Sequence, residues 1–354
     1  MATDRVIAPT PPDPATPDGL REQSMGRALR PERIGEYIGQ PDLLERLRIA
    51  IGASKGRGEP LEHLLLHGPP GLGKTTLAHV IAAEMEARVY VTSGPALAKG
   101  TDLVGALTRL ELGDVLFIDE IHRLPAPVEE FIYPAMEDFK IDVSVDTGLN
   151  ARTVQIKCKP FTLIGATTRA GMLSAPLRSR FGISHHLRYY DEAELLEILE
   201  RSARLLSLDA GKASTAALQA IAKRSRGTPR IANRLLRRVR DYADVRADGR
   251  LTDALVADAL SLEGVDELGL DELDRAYLRA IGETYEGGPV GLETIAATMN
   301  QDAGTLEDMV EPFLLQIAFL ARTRRGRVLT RAGAAHVGVR LPENAPEADD
   351  ALFD

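Results

Sequence analysis

Cysteine is almost absent from this sequence: Cys158 stands alone among 354 residues. A single cysteine excludes an internal disulfide and a cysteine-based metal cage, and it fits a reducing, cytoplasmic setting. Its surroundings, TVQIKCKPFTL, read as a strand. Cys158 is therefore expected as a small core residue rather than a nucleophile. Long apolar runs are missing too: none reaches the ~18 residues that a membrane-spanning helix needs, so no membrane partner is expected. The opening stretch MATDRVIAPTPPDPATPDGL has no apolar core between a basic start and a cleavage site, so no secretory leader is expected. No internal repeat is visible.

Positive charge is in deficit overall, with 43 Lys and Arg against 52 Asp and Glu, a net charge of -9. That balance argues against nonspecific polyanion binding by the whole surface. The charge is uneven, however. Residues 312–342 hold no acid and six arginines: Arg322, Arg324, Arg325, Arg327, Arg331 and Arg340. Residues 212–240 also lack acids and carry nine basic residues, whereas the last twelve residues hold five acids. Local basic patches thus survive an acidic average.

The length allows two or three domains at ~150 residues each. Residues 1–20, with five prolines, read as a flexible tail, and 343–354 as an acidic one. Between 61 and 190 short apolar strands alternate with helical patterns, at Leu64–Leu66, Val89–Thr92, Val115–Ile118, Thr162–Gly165 and Ile183–Leu187. Such alternation predicts an α/β fold, a parallel sheet with helices on both faces, here over 21–190. Residues 140–160 alternate like an inserted hairpin, with Asp146-Thr-Gly148 near its turn. From Asp191, a plausible N-cap, the strands stop. Ile231, Leu235, Val239 and Tyr242 fall near helical spacing, and 191–262 reads as a small helical domain. Residues 263–342 give helix, helix, helix and a basic hairpin, the outline of a winged helix.

The segment from Gly68 to Thr76, GPPGLGKTT, fits the phosphate-loop pattern G-x-x-x-x-G-K-[ST]. Glycines such as Gly71 and Gly73 let backbone N–H groups turn toward phosphates with no Cβ in the way. Lys74 reaches the β- and γ-phosphates, and Thr75, beside Thr76, offers its hydroxyl to Mg²⁺. The helix beginning at Lys74 points its positive end at the same anions. A strand before the loop and a helix after it supply the required context. The second motif, DVLFIDE, places Asp119 and Glu120 after four apolar residues, at a strand end where open α/β sheets bind ligands. Asp119 suits the Mg²⁺ shell, and Glu120 suits orientation or deprotonation of attacking water. A third strand, TLIGATTR, ends at Thr168. If it lies between the two motif strands, Thr168 sits near the γ-phosphate. Arg178 and Arg180, read alone, are surface charges, and Arg230 is the end of a solvated helix.

Taken together, the phosphate loop, FIDEIHRL, LIGATTRAG, LRSRFG and GTPRIANRLLRRVRD resemble the AAA+ ATPases, and among them the RuvB family of bacterial Holliday-junction branch-migration motors. The resemblance spans 26 to about 340. It implies ATP and Mg²⁺ as cofactors and a homohexameric ring on duplex DNA at four-way junctions. RuvA is the implied partner, with the RuvC resolvase in the larger complex. By the same resemblance, Thr168 senses the γ-phosphate and Arg180 is an arginine finger reaching the neighbouring subunit's site. Arg230 is the corresponding sensor arginine. Leu29 and Arg30 match a segment that packs on adenine, and Glu137, Asp138, Phe139 and Tyr190 match further nucleotide contacts. The insertion at 140–160 matches the RuvA-docking element, through outward apolar residues. Arg322 and Arg327 match DNA contacts. Arg324 stands where the family usually has proline, which either adds a phosphate contact or slackens the turn.

Two other functions remain open on the sequence. A clamp-loader-like or switch ATPase shares the sheet and the finger, but usually has a different C-terminal collar. A protein unfoldase needs an aromatic pore loop, and Pro95–Thr108 contains no aromatic–glycine pair.

Overall fold

Short apolar strands line up side by side in one direction, and their shared direction sorts the functional residues. The computed structural model describes residues 28–144, 153–208 and 211–342. Among the described residues, seven strands precede residue 190: β1 Leu64–His67, β2 Val89–Ser93, β3 Val115–Asp119, β4 Lys140–Ser144, β5 Thr153–Lys157, β6 Thr162–Thr167 and β7 Ile183–His186. Five of them form a parallel sheet in the order β2-β3-β6-β1-β7. Leu64, Leu65 and Leu66, and Val115 through Ile118, are all buried. Successive strand residues face opposite sides, so these continuous apolar runs show that both faces are covered. The strand order puts β6 between β3 and β1, the arrangement on which the position of Thr168 depended. Among the described residues, no helix is long and apolar enough to cross a membrane.

The insertion is an antiparallel pair, β4 with β5, in register from Lys140↔Lys157 to Ser144↔Thr153. Its proposed turn at Asp146 and Gly148 lies outside the described residues. Ile141 is buried in the sheet's core cluster and roots the hairpin, while Val154 is 47% exposed. Cys158 packs against the same core cluster, and burial pushes its thiol up.

Packing divides the chain into two units. One runs to Ile198 and takes in Thr228–Arg230; the other comprises Leu199–Gly227 and the chain from Ile231 onward. The second unit holds most of the helical segment 191–262 and of the winged-helix segment 263–342. Charged side chains join the two segments. Arg226 Nη2 lies 2.9 Å from Asp271 and 2.6 Å from Asp274, and Arg226 Nε donates to the Gly269 carbonyl at 2.7 Å. His336 lies 2.7 Å from Asp266, which Arg275 also approaches at 3.6 Å. Pattern reading finds the helices but not these ties between them.

Helices at Thr215–Lys223 and Asp253–Leu262 are capped by the hydroxyls of Ser214 and Thr252. The following part contains helices Glu272–Arg279 and Leu292–Met299 and a helical stretch over 303–316. That stretch is wound as π-helix at Leu306–Val310, just before Pro312, which has no N–H for the carbonyl four residues back. The hairpin β8 Leu320–Thr323 with β9 Gly326–Leu329 follows, then a helix over Arg331–Val337.

Glu311 holds this hairpin. It is fully buried (0% exposed) yet carries a carboxylate. It accepts from Tyr277 Oη at 2.5 Å, Arg322 Nε at 2.7 Å and Arg327 Nε at 2.8 Å, and Arg322 Nη2 also donates to it. Burial alone would raise this acid, but hydrogen bonds from Arg327 and Tyr277 and the charge of Arg322 hold it below the ordinary carboxylate range. Arg322 and Arg327 are directly opposite each other across the hairpin, where like charges repel. The buried carboxylate between them offsets that repulsion. Glu311→Ala is expected to destabilise this unit by about 3 kcal/mol, because it leaves two paired cations without their anion. A denaturant melt with an unchanged midpoint would refute that account.

Candidate active site

The loop between β1 and the helix Lys74–Glu84 is built around left-handed glycines. Gly71 has φ +80 and Gly73 φ +93. A Cβ on Gly71 would come within 2.6 Å of Thr228 Cγ2 and 3.3 Å of Arg230 Cβ; one on Gly73 would meet Tyr37 Oη at 2.8 Å. Only glycine permits both the backbone and the neighbours. Lys74 is 8% exposed and folds back into the loop, its Nζ donating to the carbonyls of Gly68 at 2.9 Å and Pro69 at 2.8 Å. Burial lowers its ammonium to about 8, with the charge of Asp119 pulling the other way. Thr75 and Thr76 occupy the next two positions of the first helical turn, where N–H groups are unpaired and the helix dipole is positive. His67, at the end of β1, is also lowered, first by burial and then by His186, His185, Arg178 and Lys74. The site is therefore a positive pocket suited to an anion.

Asp119 ends β3, and its Oδ1 accepts the Glu120 N–H at 2.9 Å. Glu120 sits at φ +47, on a turn where a Cβ at Gly94 would collide with its carbonyl. Its carboxylate accepts from Arg123 Nη1 at 2.9 Å and is half exposed. Thr168 lies just past β6 and is exposed, while Thr167 before it is buried. Asp119 and Lys74 are thus electrostatic neighbours, and the loops after β1, β3 and β6 open at one sheet edge. Among the described residues no cluster of three or more His, Cys, Asp or Glu forms a metal cage. The Thr75 hydroxyl and the Asp119 carboxylate are oxygen donors of the kind that would hold Mg²⁺.

Arg180, Glu137, Asp138 and Phe139 lie elsewhere. Arg180 precedes the start of β7, and Phe139 O accepts the Cys158 N–H at 2.7 Å in the approach to β6. Met136 O lies 3.1 Å from His63, just before β1. These residues belong to the N-terminal edge of the sheet, opposite the phosphate loop. Arg180 stacks 4.4 Å over the Tyr133 ring, pairs with Glu137 at 3.1 Å and donates to Pro176 O at 2.7 Å. Arg180 and residues 137–139 thus gather near strand beginnings, whereas the phosphate loop follows the end of β1.

Tyr190 Oη lies 3.4 Å from Leu72 O in the loop and 3.2 Å from Tyr37 Oη, a hydrogen-bonded cluster closed on the loop. Leu29 is buried and Arg30 half-buried, ahead of Arg33 and Ile34, which bond to Ala83 and Glu84 at the far end of the loop's helix. In the hairpin, Arg322 is 42% exposed but Arg327 only 18%. Arg324 and Arg325 form the turn, and Thr323 Oγ1 accepts the N–H groups of Arg325 and Gly326, each at 3.1 Å. The turn therefore closes without proline.

Sequence reasoning missed Tyr37, Gln40 and His122. Tyr37 lines the loop, and burial raises its hydroxyl well above the ordinary value. Gln40, 2% exposed, donates to Arg188 O at 2.7 Å and accepts from Arg188 N at 3.2 Å, tying the chain before the loop to the chain after β7. The signal available was Gly39, which a Cβ would bring within 2.5 Å of Tyr190.

The depressed ammonium of Lys74 sets a pH dependence. Phosphates in the loop favour the charged form, so binding above its value of about 8 must take up a proton. Nucleotide affinity is expected to be flat below about pH 8 and to fall above it, whereas Lys74→Arg, always charged, removes the step. Fluorescent-nucleotide titrations from about pH 7 to about pH 9 check this. A wild-type affinity that does not fall with pH would separate Lys74 from phosphate binding.

Known proteins share this architecture. Residues 29–187 match the family described as Holliday junction DNA helicase RuvB P-loop domain, 190–266 the RuvB AAA lid domain, and 267–338 the RuvB C-terminal winged helix domain. The Holliday junction branch migration complex subunit RuvB of Kosmotoga olearia is 52% identical over 324 residues, covering 92% of this chain and 94% of the relative. The protein of the same name from Desulfosudis oleivorans is 56% identical over 313 residues, 88% of this chain and 90% of that one. Among solved structures, the Thermotoga maritima RuvB Holliday junction branch migration motor matches with a TM-score of 0.81 at 49% identity, covering 89% of this chain and 100% of the other. With three consecutive matches from 29 to 338 and relatives more than half identical over nearly their whole length, the chain belongs to the RuvB family of P-loop ATPases.

Proposed function

We propose that this chain is the ATP-driven motor of Holliday junction branch migration, a DNA translocase of the helicase type working as a homohexameric ring with a RuvA-type partner. The observation that carries the reading is the split of the functional residues between opposite edges of one parallel sheet. Lys74, Thr75, Asp119, Glu120 and Thr168 stand at the edge where the phosphate loop opens; Arg180 stands at the other. An arginine so placed acts on a second subunit's nucleotide, which makes hydrolysis depend on assembly. Mg²⁺ held by Thr75 and Asp119 would neutralise phosphate charge. Lys74 binds the β- and γ-phosphates, Thr168 holds the γ-phosphate, and Glu120 takes the proton of the attacking water. Glu137, Asp138 and Phe139, on Arg180's edge, accompany it to the neighbour's nucleotide. Arg230, beside Gly71, closes over the chain's own nucleotide, with Tyr190, Leu29 and Arg30 around the base.

Duplex DNA is held by the β8–β9 hairpin through phosphate contacts, which suit a motor that moves along any sequence. Arg322 makes direct contact, while the more buried Arg327 acts mainly through its pair with Glu311. Val154 on β5 is part of the apolar docking face for RuvA, and RuvC joins the larger complex. The alternative, a clamp-loader-like switch, hydrolyses ATP without moving a junction.

The deciding experiment is ATP-dependent dissociation of a synthetic mobile four-way junction by this protein with a RuvA-type partner. Duplex products are expected with ATP and none with Lys74→Ala. Hydrolysis without junction movement would favour the switch. In the same assay, inactive Arg180→Ala mixed with inactive Glu120→Gln should recover turnover, since each supplies what the other lacks. No recovery at any ratio would show that the arginine does not act in trans.

For DNA binding, Arg322→Ala is expected to reduce the salt slope of duplex affinity by about 1. An unaltered slope would move the phosphate contacts to other residues.

A further inference from the structure

We propose that His122 is the positioning residue that fixes Glu120 relative to Thr168, acting through the buried hydroxyl of Thr167. The inference rests on the ATPase reading above and adds a residue to it. Strands β3 and β6 are neighbours in register from Val115↔Thr162 to Ile118↔Gly165. Beyond that register the β3–β6 ladder stops: β3 ends at Asp119 and β6, still paired with β1, ends at Thr167. The loop after β3 carries Glu120 and the loop after β6 carries Thr168. Water attacking a phosphate held by Thr168 must lie between these two groups, so the offset between the loops sets the attack geometry.

A hydrogen bond spans the gap. Thr167 Oγ1 lies 2.9 Å from His122 Nδ1 and accepts the Arg169 N–H at 2.9 Å. Thr167 is 1% exposed, so its hydroxyl is anchored in the interior. A hydroxyl that accepts from Arg169 keeps a second lone pair and its own proton, so the bond to Nδ1 forms with either imidazole tautomer. His122 belongs to the short turn Ile121–Arg123 that directly follows Glu120. Thr167 directly precedes Thr168. The bond therefore joins the neighbours of the two groups whose separation matters.

The turn has further supports: Arg123 Nη1 donates to the Glu120 carboxylate at 2.9 Å, and the Glu120 N–H to Asp119 Oδ1 at 2.9 Å. Behind it, the close approach of Gly94 seats the Glu120 carbonyl. Beneath it, Ile121 is buried against Gly165, where an added Cβ would lie 2.9 Å from Ile121 Cδ1. Those contacts set the height of the turn on the sheet. The His122–Thr167 bond sets its offset from the end of β6.

The test is steady-state ATP hydrolysis by the full chain with junction DNA and the RuvA-type partner, together with nucleotide affinity. His122→Ala and Thr167→Val are each expected to lower kcat about tenfold to a hundredfold. Nucleotide affinity should stay within about twofold, since the phosphate loop is untouched. The double variant should fall no further than the worse single one, because both remove the same bond. Thr167→Ser, which restores the hydroxyl, and His122→Asn, which restores an acceptor, should each recover most of the loss. Because Thr167 is buried, its valine variant is read together with half-buried His122→Ala, whose thermal midpoint should match wild type. Wild-type kcat in His122→Ala, or losses that multiply in the double variant, would overturn the proposal. So would a parallel fall in nucleotide affinity. Glu120→Gln in the same assay separates the levels. Full turnover there would sink the base assignment itself, whereas an inactive Glu120→Gln beside a fully active His122→Ala sinks only the role of His122.

Discussion

All five strands of the main sheet run the same way, and that one constraint organises the chemistry. A parallel sheet has two unlike edges. Loops that leave the C-terminal ends of β1, β3 and β6 converge, bringing the lysine, the acid pair and the threonine together without any long-range design of their side chains. Whatever precedes a strand must lie at the other edge. Arg180 precedes β7 and follows a helix from the nucleotide edge, so the chain crosses the sheet's height between Thr168 and Arg180. A residue delivered there stands near strand beginnings, whereas its own phosphate loop follows a strand end. Dependence on assembly, in this reading, is a consequence of strand direction.

Buried charge recurs in both units, in opposite roles. Lys74 is a cation held on backbone carbonyls, its ammonium weakened by burial, and it suits an anion that has yet to arrive. Glu311 is an anion fully enclosed and already satisfied by a tyrosine and two arginines. The first is poised for a ligand; the second is structural. Both hairpin arginines pair with that carboxylate, but Arg322 stays 42% exposed and Arg327 only 18%. Counting arginines in the sequence treats them alike. Packing ties both to Glu311 and leaves only one of them widely exposed.

Features carried by contiguous residues were readable in advance. The phosphate loop, the acid pair, the five sheet strands and the N-cap at Asp191 each depend on spacing within a few residues, and local backbone geometry enforces that spacing. The hairpin at 140–160 was visible for the same reason, by its alternation. Tyr37 and Gln40 were not visible, because they act on groups more than 30 positions away in the chain, Leu72 and Arg188. Nor was the His122–Thr167 bond, since a histidine after an acid pair and a threonine at a strand end carry no mutual signal until β3 and β6 are neighbours. The helical segment and the winged helix were legible from their element patterns, but the contacts between them were not. The ties of Arg226 and Asp266 that join them are side-chain contacts across separate segments.

The sequence by itself determined the fold class, the nucleotide chemistry and the family, since these reside in short motifs whose physics is local: glycines that free backbone N–H groups, a lysine at a helix start, acids at a strand end. Only the tertiary structure decided which residues share an edge of the sheet, which arginine is exposed, and which hydrogen bond spans the two catalytic loops. Those outcomes depend on strand order and on burial, and both arise only when segments distant in the chain pack against each other.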